Sequence, residues 1–180
     1  MIVFAVVVLN IHAFDDYAFR FEAFENDVTV VKLLLYFGAN VHARSDQSLQ
    51  IAAQEGDTEI VKILLDHKAN VHANDDAPLY LASLKGHENI VKLLLARGAD
   101  VHAKEDSALQ AAVLNNHPEI VKLLLDNGSD VSGCAGRTLI DYADHRGFTS
   151  VGRLLRERRS PADENHALVC GANKLLETNP

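Results

Sequence analysis

Cationic side chains are in the minority: 17 Lys and Arg stand against 25 Asp and Glu in 180 residues, giving a formal net charge of -8 and an isoelectric point near 5.5. A surface that gains affinity by neutralising phosphates needs clustered Lys and Arg, so neither nucleic acid nor an anionic membrane is an expected partner. Cysteine is nearly absent. Cys134 and Cys170 are the two present; they lack the short paired spacing of a zinc site and are unrelated in position, which points to a reducing compartment. The opening apolar run, Ile2 to Leu9, is about half the ~20 residues that a membrane-spanning helix requires. With no basic segment before it and no clean small-residue cleavage site after it, it does not read as a signal peptide, and a cytoplasmic, intracellular location is expected. Phosphate-binding G-x-x-x-x-G-K-[ST] and G-x-G-x-x-G patterns are missing, as is any set of nucleophile, base and orienting acid. Asp141, Asp144 and His145 lie close in sequence, but the polarity of a terminal helix accounts for them. No enzyme activity and no cofactor are expected. What remains is a chain 48% hydrophobic and 23% charged, the composition of a soluble folded protein.

That hydrophobicity recurs with a fixed period. VVKLLL ends at Leu35, IVKILL at Leu65, IVKLLL at Leu95 and again at Leu125, and a weaker SVGRLL ends at Leu155, a spacing of 30 residues. The motif Asn/Asp-Val/Ile-His-Ala recurs in register at 10–13, 40–43, 70–73 and 100–103, then decays to Asp-Val-Ser-Gly at 130–133. The expected units are 11–40, 41–70, 71–100, 101–130 and 131–160. Residues 1–10 are left as an apolar remnant of a half repeat and 161–180 as a tail with room for one helix around 165–177.

Each unit reads as two helices. In the third, Leu79, Ala82, Ser83 and Gly86 fall at i, i+3, i+4 and i+7, one face of a helix whose small residues allow close approach. Asp76 is the expected N-cap, with Asp16, Asp46 and Asp106 in the same register. The second helix carries Ile90, Val91, Leu93, Leu94 and Leu95 and turns Lys92 outward. Glu88 is expected to pair with Lys92 and Glu59 with Lys62, each for a few tenths of a kcal/mol. Gly38, Gly98 and Gly128 supply a left-handed residue to end this helix, and Lys68 breaks the pattern. One such pair cannot bury its apolar face alone, so neighbouring units must stack. In the fifth unit Ser150 stands at the register of Ile60, Ile90 and Ile120, and Arg153 at that of Ile63, Leu93 and Leu123, as expected of an outward end face. Arg156, Arg158 and Arg159 then serve either to cap the last helix, where cations complement the macrodipole, or as a basic binding patch.

The nine histidines raise a metal-binding reading, above all the ladder His12, His42, His72 and His102. Stacked helical units stand about 8–10 Å apart, whereas two imidazoles sharing zinc hold nitrogens ~2 Å from it. No metal site is expected, and hydrogen bonds within the loops or plain exposure are the alternatives. His87 and His117 are expected to be structural as well.

The segments GHENIVKLLLARGADV at 86–101 and APLYLA at 77–82 resemble the ankyrin repeat, a likeness extending over 11–160. The resemblance implies an all-α ankyrin-repeat solenoid of stacked helix-turn-helix units. The period of 30 is shorter than the usual one of about 33, and the family's T-P-L-H tetrapeptide is reduced to QSLQ at 47–50, APLY at 77–80 and SALQ at 107–110. The shortening falls in the hairpin finger, so the hairpins are expected to be short or replaced by plain turns. With the DYAFR element at 16–20, the 30-residue spacing is similar to that of ankyrin proteins of giant viruses.

What the resemblance implies for function is protein binding without catalysis, as an adaptor or competitive inhibitor, through finger loops and first helices. The finger positions are Arg44, Ser45 and Gln47, then Asn74, Asp75 and Ala77, then Lys104, Glu105 and Ser107. The variable pairs after Ala-Ala are Phe24 and Glu25, Gln54 and Glu55, Leu84 and Lys85, Leu114 and Asn115, and Asp144 and His145. In the register of Phe24, Gln54, Leu84 and Leu114, three of the four are apolar; they form a partner-binding patch unless the shortened fingers fold over them. The alternative reading is a self-assembling structural element. Its N-terminal end is apolar where a cap should be polar: Val8 stands in the Gly register, Ile2 in the Lys register, and Phe14, Phe19, Phe21 and Phe24 follow. This end is expected either to fold back over the first unit or to pair with its copy in a homodimer.

Overall fold

The computed structural model describes residues 17–159. Ten helices and no strand occur among them, paired along the chain: α1 (Tyr17–Glu25) with α2 (Val28–Tyr36), α3 (Ala43–Glu55) with α4 (Thr58–Asp66), α5 (Ala73–Lys85) with α6 (Glu88–Ala96), α7 (Ala103–Leu114) with α8 (Pro118–Asp126), and α9 (Gly133–His145) with α10 (Thr149–Arg158). This is the all-α solenoid expected from the repeat. The N-terminal remnant and the C-terminal tail lie outside the described residues.

Odd-numbered helices form one row and even-numbered helices a second, joined by a continuous core. The small-residue face does what its spacing implies: Leu79 is 1% exposed, and Ala82 and Ser83 are fully buried. Ala52, Ala53, Ala112 and Val113 repeat the pattern. Between the rows sit Ile60, Leu64, Ile90, Leu94, Ile120 and Leu124, all at or below 1% exposure. At about 25 cal/mol per Å² of apolar area removed from water, each such side chain contributes roughly 1.5–3 kcal/mol.

The two helix ends in each unit stop differently. After the first helix a left-handed Gly56 or Gly86 (φ +98° and +85°) turns the chain. A Cβ there would lie 2.7 Å from His87 Cε1 or 2.6 Å from His117 Cε1, so glycine is required for the approach of the next unit as well as for the turn. Each of those rings hydrogen-bonds back across units, His87 Nε2 to Gln54 O at 2.9 Å and His117 Nε2 to Leu84 O at 3.3 Å. The second helices of the first four units share one closing turn, with Gly38, Gly98 and Gly128 at positive φ. Lys68 does not break this pattern: it adopts φ +74° itself, and the amides of Lys68 and Ala69 reach Leu65 O and Leu64 O like their glycine-bearing counterparts. Backbone hydrogen bonds hold a lysine in a conformation that its Cβ disfavours.

The last unit departs by one residue. Left-handed turn residues stand at Asn26, Gly56, Gly86 and Asn116, but next at Gly147, so the fifth unit has one extra residue before its second helix. Val151, fully buried, therefore takes the place of Ile60, Ile90 and Ile120. Arg153, exposed and 3.8 Å from Glu157, takes that of the outward Lys62, Lys92 and Lys122. The expected alignment of Ser150 with isoleucine and of Arg153 with leucine is corrected accordingly. The polar replacement is Arg156, at the register of Leu65 and Leu125, and it pairs with Asp144. Arg158 Nη1 donates to Leu125 O at 3.1 Å and its other nitrogen pairs with Asp126, so these two cations tie the end of the array down.

Exposed charges follow the expectation in one case and not in the other. Glu88 pairs with Lys92, whereas Glu59 turns from Lys62 to Lys32 of the preceding unit at 2.8 Å.

The strained lysine gives a direct check. Lys68→Gly is expected to raise stability by about 1 kcal/mol, measured by urea unfolding; a loss of stability would show that the left-handed turn costs nothing at this position.

Candidate functional site

The hairpin finger is replaced by an unusual turn. Arg44, Ser45 and Asp46 all have positive φ (+50°, +57° and +57°), as do Asn74, Asp75 and Asp76 (+51°, +56° and +57°) and Lys104, Glu105 and Asp106 (+48°, +57° and +58°). For residues with a Cβ the left-handed conformation costs roughly 1–2 kcal/mol each, so three in succession must be held by something outside themselves.

The third residue of each turn does this. Asp46 and Asp76 are 5% exposed. Asp46 Oδ1 accepts His42 Nδ1 at 3.0 Å within its own turn and the amide of Asn70, in the next unit, at 2.8 Å. Asp76 likewise holds His72, at 3.1 Å, and the Asp100 amide, at 2.8 Å. Asp106 holds His102 at 3.3 Å and the Asp130 amide at 3.1 Å. The residue clasped from behind then closes the next turn: Asn70 Oδ1 accepts the His72 amide at 3.0 Å, Asp100 Oδ1 the His102 amide at 2.9 Å, and Asp130 Oδ1 the Ser132 amide at 2.7 Å. The aspartates expected as N-caps at 46, 76 and 106 are thus clasps between units; Asp16 lies outside the described residues. The same bonds account for His42, His72 and His102 of the histidine ladder, His12 lying outside the described residues; among the described residues no group of three or more His, Cys, Asp or Glu could hold a metal ion. In the fifth unit Gly136 replaces the aspartate, and a Cβ there would lie 1.8 Å from Val131 O.

The clasps hold a row of side chains toward solvent. Arg44, Ser45, Asn74, Asp75, Lys104 and Glu105 are exposed, and Gln47, Ala77 and Ser107 are half-buried. Contacts run from turn to turn: Gln50 Nε2 donates to Ser45 O at 2.8 Å, Asn74 Nδ2 to Gln50 Oε1 at 3.1 Å, and Lys104 Nζ lies 3.6 Å from Asp75 Oδ2. Gln47 Oε1 accepts Arg20 Nη1 at 2.7 Å and Ser107 Oγ donates to Ala103 O at 3.3 Å. Along the first helices, Gln54 is half-buried and donates to the exposed Glu55 at 3.0 Å. Leu84 is half-buried and Lys85 exposed. Leu114 is 46% exposed, so the turns do not fold over it, and Asn115 bonds back to Ala111 O at 2.8 Å. The side chain of Phe24 is not among those described.

Two features escape the sequence pattern. Tyr80, 38% exposed, occupies the register where Gln50 and Gln110 donate to the carbonyls of their own turns. An aromatic among glutamines was the available signal. The one-residue shift also makes His145 and Arg146, rather than Asp144 and His145, the counterparts of Leu114 and Asn115. Arg146 lies over the rings of Tyr142 and Phe148 at 5.6 and 5.4 Å, and Tyr142 Oη donates to Leu114 O at 3.5 Å.

Charge is unevenly accommodated beneath this face. Asp27 caps α2 by accepting the amides of Thr29 and Val30 at 3.0 Å. Asp57, in the same register, keeps one buried carboxylate oxygen without a partner. Burial, and then the neighbouring Glu55 carboxylate, push its carboxyl above the ordinary range, with His87 offsetting part of the rise. Asp130 moves the other way, lowered mainly by hydrogen bonds from the hydroxyl and amide of Ser132.

In comparisons with known proteins, the family described as Ankyrin repeats (3 copies) matches residues 20–105, and the single Ankyrin repeat matches residues 104–134. No curated protein matches the chain. No helix among the described residues is long and apolar enough to cross a membrane.

Removing a clasp should loosen two units at once: Asp76→Ala is expected to cost about 2 kcal/mol, because the Asp100 amide loses its acceptor. His72→Ala, at a side chain 54% exposed, should cost under about 1 kcal/mol. Equal losses in chemical denaturation would contradict the assignment of the aspartate as the clasp. For Asp57 the raised pKa means that the folded state holds the proton more tightly than the unfolded one. The ionised form therefore costs stability above the titration range, and that cost disappears as pH falls through it. Asp57→Asn is expected to be more stable than the parent at neutral pH, with the advantage shrinking on acidification; an advantage that grows as pH falls would reverse the sign.

Proposed function

Because the chain belongs to the ankyrin-repeat family, whose arrays are in general protein-interaction modules, we propose that it is a non-catalytic adaptor or competitive inhibitor. It holds one protein partner along the first helices and the left-handed turns that precede them. The observation that carries this reading is Leu114, a large apolar side chain 46% exposed in the register that follows the buried alanines, with Tyr80 38% exposed on the preceding unit. Leu84 lies half-buried in the same register as Leu114, and the exposed Lys85 adds a cation beside it. An apolar strip with a polar margin of turn residues is the anatomy of a binding surface, in which a few well-placed apolar anchors dominate the energy. The exposed positions of the second helices carry Lys62, Lys92 and Lys122 instead, a solvated face.

The turns add a second advantage. Each is fixed by hydrogen bonds before any partner arrives, so little ordering cost remains at binding. The likeness of the 30-residue spacing to giant-virus arrays directs the search for the partner to the cytoplasm of an infected host.

Capture of partners by the intact chain, followed by affinity measurement on variants, tests the proposal. Leu114→Asp and Lys85→Glu are each expected to weaken binding by roughly tenfold or more with unchanged helicity by circular dichroism. Loss of binding only on Lys62→Glu or Lys92→Glu would place the interface on the other row.

A further inference from the structure

The back of the first unit is built unlike any other. Ile60, Ile90 and Ile120 are at most 1% exposed, and Val151, their counterpart in the last unit, is fully buried although no described unit follows it. This register is therefore covered from within the unit or from the preceding one. Val30 holds the same register in the first unit, where no preceding unit is described, and is only half-buried. A segment in the place of a preceding unit would supply cover on that side.

A second register says what kind of side chain belongs there. Arg97 reaches back one unit to Asp66 at 3.0 Å, and Arg158 reaches back to Asp126 in the same way. Where the preceding residue is not an acid, the reach is not made. His67, which follows Tyr36 by one unit, turns its Nδ1 to Ile63 O of its own helix at 2.8 Å. Asn127, which follows Ala96, turns its Nδ2 to Leu123 O at 2.8 Å. At this register a side chain reaches across units where the residue one unit earlier complements it, as aspartate does arginine. In the first unit the register holds Phe37, 41% exposed and stacked edge-on against Tyr36 at 5.3 Å. A phenylalanine calls for an apolar counterpart.

The sequence supplies one. Residues 1–10 align with 31–40, which sets Val6 one unit before Phe37. The same alignment puts Phe4 at the register of Leu34, Leu64, Leu94 and Leu124, never more than 1% exposed, and Leu9 at that of Ala39, Ala69 and Ala99, all buried. We propose that residues 1–10 dock on the back of the first unit of the same chain, in the place of a preceding second helix, with Val6 against Phe37 where later junctions use a carboxylate against an arginine.

Hydrogen exchange read by mass spectrometry on the full-length chain tests this, with sedimentation to fix the mass. Amides of residues 3–9 are expected to exchange more slowly than those of an unstructured peptide, at a rate independent of protein concentration and at the mass of one chain. Val6→Asp and Phe37→Arg should each release that protection while the third and fourth units stay protected, which separates undocking from unfolding. The double variant installs the pair found at Asp66 and Arg97 and should recover protection. Exchange at the unstructured rate in the parent overturns the proposal, as does protection that appears only with doubled mass, which would make a second copy the occupant. A double variant no better protected than the single ones overturns the pairing of Val6 with Phe37.

Discussion

The array depends on one contact: an aspartate at the end of each left-handed turn, buried at 46 and 76 and half-buried at 106, that accepts a backbone amide from the following unit. The turn needs it, because three consecutive residues at positive φ together cost several kcal/mol, on the order of 3–6. The stack needs it as well, because the clasped residue is the one whose side chain closes the next turn. Asp46, Asp76 and Asp106 therefore link local conformation to inter-unit packing, and the chain of clasps ends in the unit that carries glycine at the corresponding position.

Shortening the finger has a consequence for recognition. A hairpin would extend away from the helices and sway; a three-residue turn pinned at its base lies close to them. The exposed positions Asn74, Asp75 and Lys104 are tied to neighbouring turns, and the strip of Tyr80, Leu84 and Leu114 lies beside them on helices whose small inward faces pack closely. Rigid backbone beneath a few apolar anchors suits a surface that binds with little rearrangement.

Much of this was legible in the residues. The period, the pairing of helices, the core positions and the loss of the hairpin all follow from VVKLLL-type runs and from the spacing of Leu79, Ala82 and Ser83. The role of the aspartates was not, because an Asp before an apolar run signals an N-cap equally well, and only the partner 24 residues later distinguishes the two. Lys68 misled for a related reason: its side chain argues against a left-handed turn that its hydrogen bonds enforce. In the last unit, SVGRLL can be laid on IVKLLL without a gap, and the inserted residue shows only when burial puts Val151 where Ile120 should be. The candidate face was readable as a set of registers. Which members stand exposed was not, since Leu84 and Leu114 share a register but differ in exposure.

The most direct test of the clasp is the exchange rate of the amides it engages, measured residue by residue under native conditions. Asn70, Asp100 and Asp130 lie outside the helices, where amides ordinarily exchange by local opening. If the clasps hold the array together, these three amides exchange only as slowly as the helical core around Leu94 and Leu124, whose opening requires units to separate. Exchange at the rate of an open loop would contradict the account and leave the stack to its apolar core alone.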